Sequence, residues 1–148
     1  MALTLQRSKR RDRPDWDFYW YDFDQPVILD VVASYRLPYG FRIGARWRYT
    51  SGNPDTPVIN SIYDSDSDNY IPLQGPYNSE RLPAFHALDI RIDKDFNFRR
   101  WKLTVYLDLM NIYNRKNPES KVYNFDYTEQ TFLYGLPILP NLGFKAQF

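Results

Sequence analysis

The last seven residues, Leu142-Gly143-Phe144-Lys145-Ala146-Gln147-Phe148, put apolar side chains at 142, 144, 146 and 148 and small or polar ones between them. Successive side chains of an extended chain point to opposite faces, so this segment reads as a strand with one oily and one wet face. It runs to the final residue. A chain end frays unless something holds it, so a terminal strand needs a partner strand. The same alternation recurs upstream in segments of about ten residues, the pattern of a transmembrane β-barrel wall.

Residues 2–8 alternate weakly, with Leu3 and Leu5 against Thr4 and Gln6, and predict the stub of a first strand. The second covers residues 25–37, with Val27, Leu29, Val31, Ala33 and Tyr35 on one face and Asp30, Ser34 and Arg36 on the other. Ile28 and Val32 blur its wet face. The third, residues 41–50, sets Phe41, Ile43, Ala45, Trp47 and Tyr49 against Arg42, Gly44, Arg46 and Arg48. Three arginines on one strand face suit a water-filled lumen better than a dry core. The fourth, residues 85–98, sets Leu88, Ile90, Ile92, Phe96 and Phe98 against Asp89, Arg91, Asp93 and Asp95, with Lys94 interrupting the oily row near an interface to which its head can snorkel. The fifth, residues 101–113, sets Leu103, Val105, Leu107 and Leu109 against Thr104, Tyr106 and Asp108, and its phase shift at Asn111-Ile112 predicts a bulge. The last covers residues 141–148.

The turns at 38–40 and 99–100 are short, whereas the links at 9–24, 51–83 and 114–140 are long. The link at 51–83 reads as irregular, and the one at 114–140 as a loop with strand extension at 122–127. Short and long links alternate strictly, as periplasmic turns and extracellular loops do in bacterial barrels. Tyr35, Phe41, Phe96, Phe98, Trp101 and Phe148 then fall at one rim, and Trp47, Tyr49 and Tyr113 toward the other. Two aromatic bands are what two membrane interfaces select.

Lys and Arg number 19 against 18 Asp and Glu, so a nucleic-acid partner is not expected. Cysteine is absent, which excludes disulfides and thiolate-bound metals. Mean hydropathy is −0.61, yet barrels score as hydrophilic because lumen and loops are polar. No signal peptide is legible in Met1–Arg7, so an outer-membrane assignment implies that the chain is the tail of a longer protein.

The run Asp64-Ser65-Asp66-Ser67-Asp68-Asn69 opens like a calcium loop but lacks the glycine at position six and the distal glutamate. A solvated acidic loop is the better reading. His86 is the single histidine, with no partner for a metal site or a triad. No catalytic, cofactor or metal site is expected, and an enzyme is not.

Tyr49-Thr50-Ser51-Gly52-Asn53-Pro54, Asn78–Asp89 with its Arg81-Leu82-Pro83, Leu107–Pro118 with Asn111-Ile112-Tyr113-Asn114-Arg115-Lys116-Asn117-Pro118, Gly135–Pro140 and the terminal Phe148 form a set of distinctive stretches. Together they are similar to the C-terminal end of TonB-dependent outer-membrane receptors. The resemblance implies an all-β, antiparallel, up-and-down transmembrane barrel segment. It would be about six strands of a wall of about 22, spanning residues 1–148, without plug domain or signal peptide. It implies the bacterial outer membrane as location and uptake of an iron chelate, cobalamin or oligosaccharide as the task of the whole receptor. This chain is expected to be a fragment that does not transport alone.

On that reading the lumen face carries Arg42, Arg46, Arg48, Asp89, Arg91, Asp93 and Asp108. Substrate contact is expected in the loops, at Trp16, Tyr19, Trp20, Tyr21, Asn53, Tyr63 and Tyr70. Leu142, Phe144 and Phe148 are the membrane-anchoring C-terminal signal, through which the last strand would meet the barrel-assembly machinery. Other implied partners are outer-membrane lipid, the remainder of barrel and plug, and the TonB complex through an N-terminal part that this sequence does not contain. Two other classes compete: a small self-associating barrel acting as pore or adhesin, and a soluble β-sandwich that binds glycans. The sandwich requires Val27, Leu29, Ile43, Leu88, Ile90, Val105 and Leu107 to be buried against a second sheet.

Overall fold

The computed structural model describes residues 1–148 and contains strands, turns and no α-helix. In chain order the strands are β1 (Ala2–Leu5), β2 (Lys9–Arg10), β3 (Tyr19–Trp20), β4 (Val27–Leu37) and, after a single 3-10 turn at Pro38–Gly40, β5 (Phe41–Thr50). There follow β6 (Pro54–Asp55), β7 (Val58–Asp64), β8 (Asn69–Gln74), β9 (Glu80–Arg81), β10 (Phe85–Asn97) and β11 (Lys102–Met110). The last are β12 (Pro118–Tyr123), β13 (Gln130–Tyr134) and β14 (Leu139–Gln147).

Six strands form one antiparallel sheet in the order β1-β4-β5-β10-β11-β14. The sheet is open: β1 and β14 each pair on one side only. Four two-stranded ribbons, β2–β3, β6–β9, β7–β8 and β12–β13, occupy the long links. The short turns, Pro38–Gly40 and residues 98–101, lie at the opposite end of the sheet with Phe148. Tyr39 and Gly40 take left-handed angles, φ 60° and 78°, which close the first turn in three residues. In the second, the Phe98 amide donates to the Trp101 carbonyl at 2.9 Å.

Directly paired residues share a face, so the registers sort every side chain. One row across the sheet is Ser34, Gly44, Arg91, Asp108 and Asn141. The neighbouring row, on the other face, is Tyr35, Ile43, Ile92, Leu107 and Leu142. The alternation read from the sequence is thus a single sheet with a charged face and an oily face. No second layer covers the oily face. Only seven of 148 residues are buried, and the one buried hydrophobic side chain is Ala87. Leu142 and Phe144 are 72% and 78% exposed. The residues that a sandwich would bury are half-buried, or in the case of Ile43 exposed, flanked only by neighbours in their own sheet.

The long links differ from expectation. Residues 51–83 are not irregular: they hold β6 to β9. Ile62 pairs with Ile71 on one side of the β7–β8 ribbon and Tyr63 with Tyr70 on the other. Both faces are apolar there, so no odd-even segregation marks the strands in sequence. Residues 122–127 are not one extension either. β12 ends at Tyr123 and Asn124–Glu129 is the turn into β13, where the Asn124 side-chain carbonyl accepts from the Glu129 amide at 3.1 Å. The link at 9–24 contains the short β2–β3 ribbon.

The phase shift near Asn111 is real and also ends β11. Ile90 pairs with Leu109, so an unbroken register would bring Asn111 opposite Leu88; instead the Ile112 amide reaches the Leu88 carbonyl, one residue late. Asn111 absorbs the extra residue with φ 50°.

Candidate functional site

The charged face is laced by ion pairs between neighbouring strands. Arg46 Nε lies 2.8 Å from Asp30 Oδ1, Arg48 Nη2 3.0 Å from Asp89 Oδ2, and Lys102 Nζ 2.8 Å from Asp95 Oδ2. Arg91 meets Asp93 at 3.0 Å and Asp108 at 3.8 Å, and its guanidinium sits 4.0 Å over the Tyr106 ring. The Tyr106 ring in turn covers Gly143, where a Cβ would come within 2.4 Å of it. All seven residues expected on the lumen side, Arg42, Arg46, Arg48, Asp89, Arg91, Asp93 and Asp108, share this face. Arg42 has no carboxylate within 4 Å and stands directly opposite Arg36.

Three depressions run along this face toward the loop end. The first, about 390 Å³, is lined by Ser34, Gly44, Arg46, Arg48, Asp89 and Arg91 among others. The second, about 160 Å³, shares Arg48 and Asp89 with it and adds Phe85, Asn111 and Glu119. The third, about 290 Å³, shares Phe85 and Glu119 and reaches Gln25 and Asn53 at the loop base. The result is an open track lined in part by charged side chains rather than an enclosed pocket.

At the loop base polar side chains take the place of a hydrophobic core. Asp24 is fully buried and accepts from the Ser8 amide at 2.5 Å and from Arg81, whose other nitrogen reaches the Asp24 carbonyl at 2.6 Å. Burial pushes the Asp24 carboxyl up, but the Ser8 amide and the Arg81 guanidinium outweigh it and hold it below the ordinary value. Asn78 donates to the Trp20 carbonyl and to Asp22 Oδ1, each at 2.7 Å, while Tyr77 donates to the same Asp22 oxygen at 2.6 Å. Those two donors hold the Asp22 carboxyl low, and the same bond raises the Tyr77 phenol. Asn117 imitates a strand partner: its side chain accepts from the His86 amide at 3.1 Å and donates to the His86 carbonyl at 3.0 Å. Asn111 caps the next loop, donating to the Arg115 and Leu136 carbonyls and accepting from the Arg115 amide. Lys121, with an 8% exposed side chain, ties β12 to Asp55 and Glu80; its burial lowers its pKa and the two carboxylates more than restore it.

The expected substrate residues do not converge. Trp16 is half-exposed beneath Arg13, Tyr19 donates to Asp12 and packs edge-on against Tyr77, and Tyr21 lies under Arg10. The Trp20 ring is flanked by Arg7, Lys9 and Arg81. Tyr63 and Tyr70 sit on the β7–β8 ribbon, where Tyr70 meets Phe125 edge-on at 5.6 Å. Of the seven, Asn53 alone lines one of the three depressions, and its side chain accepts from Gln25 at 2.8 Å. The acidic run is the tight β7–β8 turn, in which Asp64 accepts from the Asp66 amide and from Ser67, and Asp68 accepts from Tyr63. No three histidine or carboxylate side chains converge to hold a metal. His86 Nδ1 lies 2.7 Å from the Tyr113 hydroxyl.

Sequence reasoning passed over Asp24, Asn78, Asn111, Asn117 and Lys121 as individual sites. Three of them lie inside the stretches that carry the receptor resemblance, Asn78 before Arg81-Leu82-Pro83 and Asn111 and Asn117 in the Asn111–Pro118 run. Those stretches therefore encode the hydrogen bonds that join loops to sheet. Asp24 had no local signal, because its partner is Arg81.

The oily face is bordered by aromatics at both ends. Phe98 stacks on Trp101 at 4.4 Å and Trp101 on Phe148 at 6.1 Å at the turn end, where Lys94 bends back to the Tyr39 carbonyl. Trp47 stacks with Tyr49 toward the loop end. Leu142 and Phe144 lie on this face of the edge strand β14. Comparison of the chain with protein-family models, with curated proteins and with solved structures returns no match.

Proposed function

We propose that the chain is a C-terminal wall segment of a TonB-dependent outer-membrane receptor, in which the oily face meets lipid and the charged face lines a water-filled lumen. The observation that carries this reading is the uncovered apolar sheet face bordered by two aromatic rims. The strands β4, β5, β10, β11 and β14 have 11, 10, 13, 9 and 9 residues. A transmembrane strand needs about 9–11. In water, the exposed oily face would drive aggregation. In lipid, the free edges of β1 and β14 each cost several kcal/mol per unpaired backbone group. The reading therefore gives those edges to the remaining strands of a closed wall. The chain contributes wall and extracellular loops to uptake of a scarce nutrient, with no catalytic step, and does not transport alone.

Two experiments test this. The urea-unfolded chain is transferred to detergent-free buffer or to dodecylmaltoside micelles. The proposal expects β-structure in micelles and aggregation in buffer; a monodisperse, folded monomer in buffer contradicts it. The second is the reading frame upstream of this coding sequence. A plug domain followed by further wall strands is expected, and an unrelated neighbour overturns the receptor assignment while leaving the membrane one.

A further inference from the structure

The loop-side border of the oily face changes character at the β1 edge. Leu3 and Leu5 lie on that face, paired with Leu29 and Val27. β1 ends at Leu5, residues 6–8 leave the sheet, and Lys9 enters the β2–β3 ribbon; Arg7 and Lys9 both come to the Trp20 ring, at 5.7 and 4.3 Å. Lys9 pairs directly with Trp20 in the β2–β3 ribbon, so cation and indole share one side. An oily row thus passes within four residues into two cations flanking an indole. Both cations are exposed and neither has a carboxylate within 4 Å. The Asp24 carboxylate attracts Arg7 from a distance, but its direct partners are the Ser8 amide and the Arg81 guanidinium, which leaves the Arg7 head without a carboxylate contact. Five cations crowd residues 7–13, namely Arg7, Lys9, Arg10, Arg11 and Arg13, with one acid, Asp12.

We propose that Arg7 and Lys9, held against Trp20 at the loop-side border of the oily face, bind the phosphates of an anionic lipid headgroup layer. The proposal rests on the membrane reading of that face. Apolar contact sets the depth: Leu3 and Leu5 lie in hydrocarbon, Trp20 lies at the interface where indoles concentrate, and the cations lie at headgroup level. Unpaired cations at that level attract anionic lipid by about 1 kcal/mol each, or roughly fivefold. The indole orients both side chains through cation–π contact without neutralising them.

The test uses the full chain and its R7Q/K9Q variant, with R36Q/K145Q as a control that removes the same charge from the other face. Each is refolded with vesicles of phosphatidylcholine alone or mixed with phosphatidylglycerol, and insertion is read by flotation. The wild-type chain is expected to favour the anionic vesicles by roughly 25-fold, less at high salt. R7Q/K9Q is expected to lose that preference while entering neutral vesicles as well as wild type, and R36Q/K145Q to keep it. Retained preference in R7Q/K9Q, or equal loss in R36Q/K145Q, overturns the headgroup site. So does competition by inorganic phosphate at matched ionic strength, which would assign the cations to a soluble anion. Wild-type entry into neutral vesicles without anionic preference overturns the site and leaves the membrane reading intact; entry into neither kind overturns both.

Discussion

The six-stranded sheet and the loop base are stabilised in different ways. The sheet has regular ladders, ion pairs on one face and almost no buried side chain; Ala87 and Asp93 are its only buried residues. The loop base is the reverse. Its strands are short, but Asp24, Asn78, Asn111 and Asn117 are buried there, each with its hydrogen bonds satisfied by backbone or by a neighbouring side chain. The sheet leaves a whole face for its surroundings to complete, whereas the loop base is complete in itself. Its polar contacts also work in water, where those loops are expected to be.

The contrast can be broken first at the oily face. Ile90→Arg is expected to cost about 2–4 kcal/mol of folding free energy in a bilayer, while Ser34→Arg on the charged face changes it by less than about 0.5 kcal/mol. Urea titration in lipid vesicles reads both, and equal effects would erase the distinction between the faces. Next comes the loop base. Asp24→Ala leaves Arg81 and the Ser8 amide without their acceptor and is expected to cost about 2–3 kcal/mol. Hydrogen exchange should localise the loss to residues 6–26 and 76–82 and leave β10 and β11 protected; loss of protection throughout would make the two regions one cooperative unit.

Acid should separate the regions without mutation. The Asp24 carboxyl is held below its unfolded value, so its contribution is fully present above the unfolded pKa of about 3.9. It is lost as pH falls through the lower folded value. Proteolysis of the refolded protein is expected to cut the 9–24 link below about pH 4 with an acid-active protease, while the sheet keeps its circular dichroism. The smallest effect is at Gly143, where an alanine methyl displaces the Tyr106 ring. Gly143→Ala is expected to cost about 1 kcal/mol, recovered in the double variant with Tyr106→Ser; no recovery would mean that the ring is not what the methyl meets.

The sheet was legible in sequence because environment imposes period two on it. Leu88 to Asp93 alternate without fault, and the expected strand bounds agree with β4, β5 and β10 within two residues. The ribbons were not legible, because a two-stranded ribbon with Ile62–Ile71 on one face and Tyr63–Tyr70 on the other carries no alternation of polarity. The loop base was hidden for another reason. The partners of Asp24 and Asn117 are 57 and 31 residues away, and a single asparagine or aspartate in a loop does not announce burial. The aromatic residues proposed to meet substrate were chosen for their place in the long links, and the structure divides them between the 9–24 link and the β7–β8 ribbon.

Alternate positions along β10 offer the most direct test of the central claim. The chain has no native cysteine, so single cysteines at Leu88, Asp89, Ile90, Arg91, Ile92 and Asp93 can each carry a spin label in lipid vesicles. The account predicts a period of two, with oxygen, which concentrates in hydrocarbon, reaching labels at 88, 90 and 92 and a water-soluble nickel complex reaching those at 89, 91 and 93. Labels at 88, 90 and 92 that neither reagent reaches would mean a dry protein core on that side, and would contradict it.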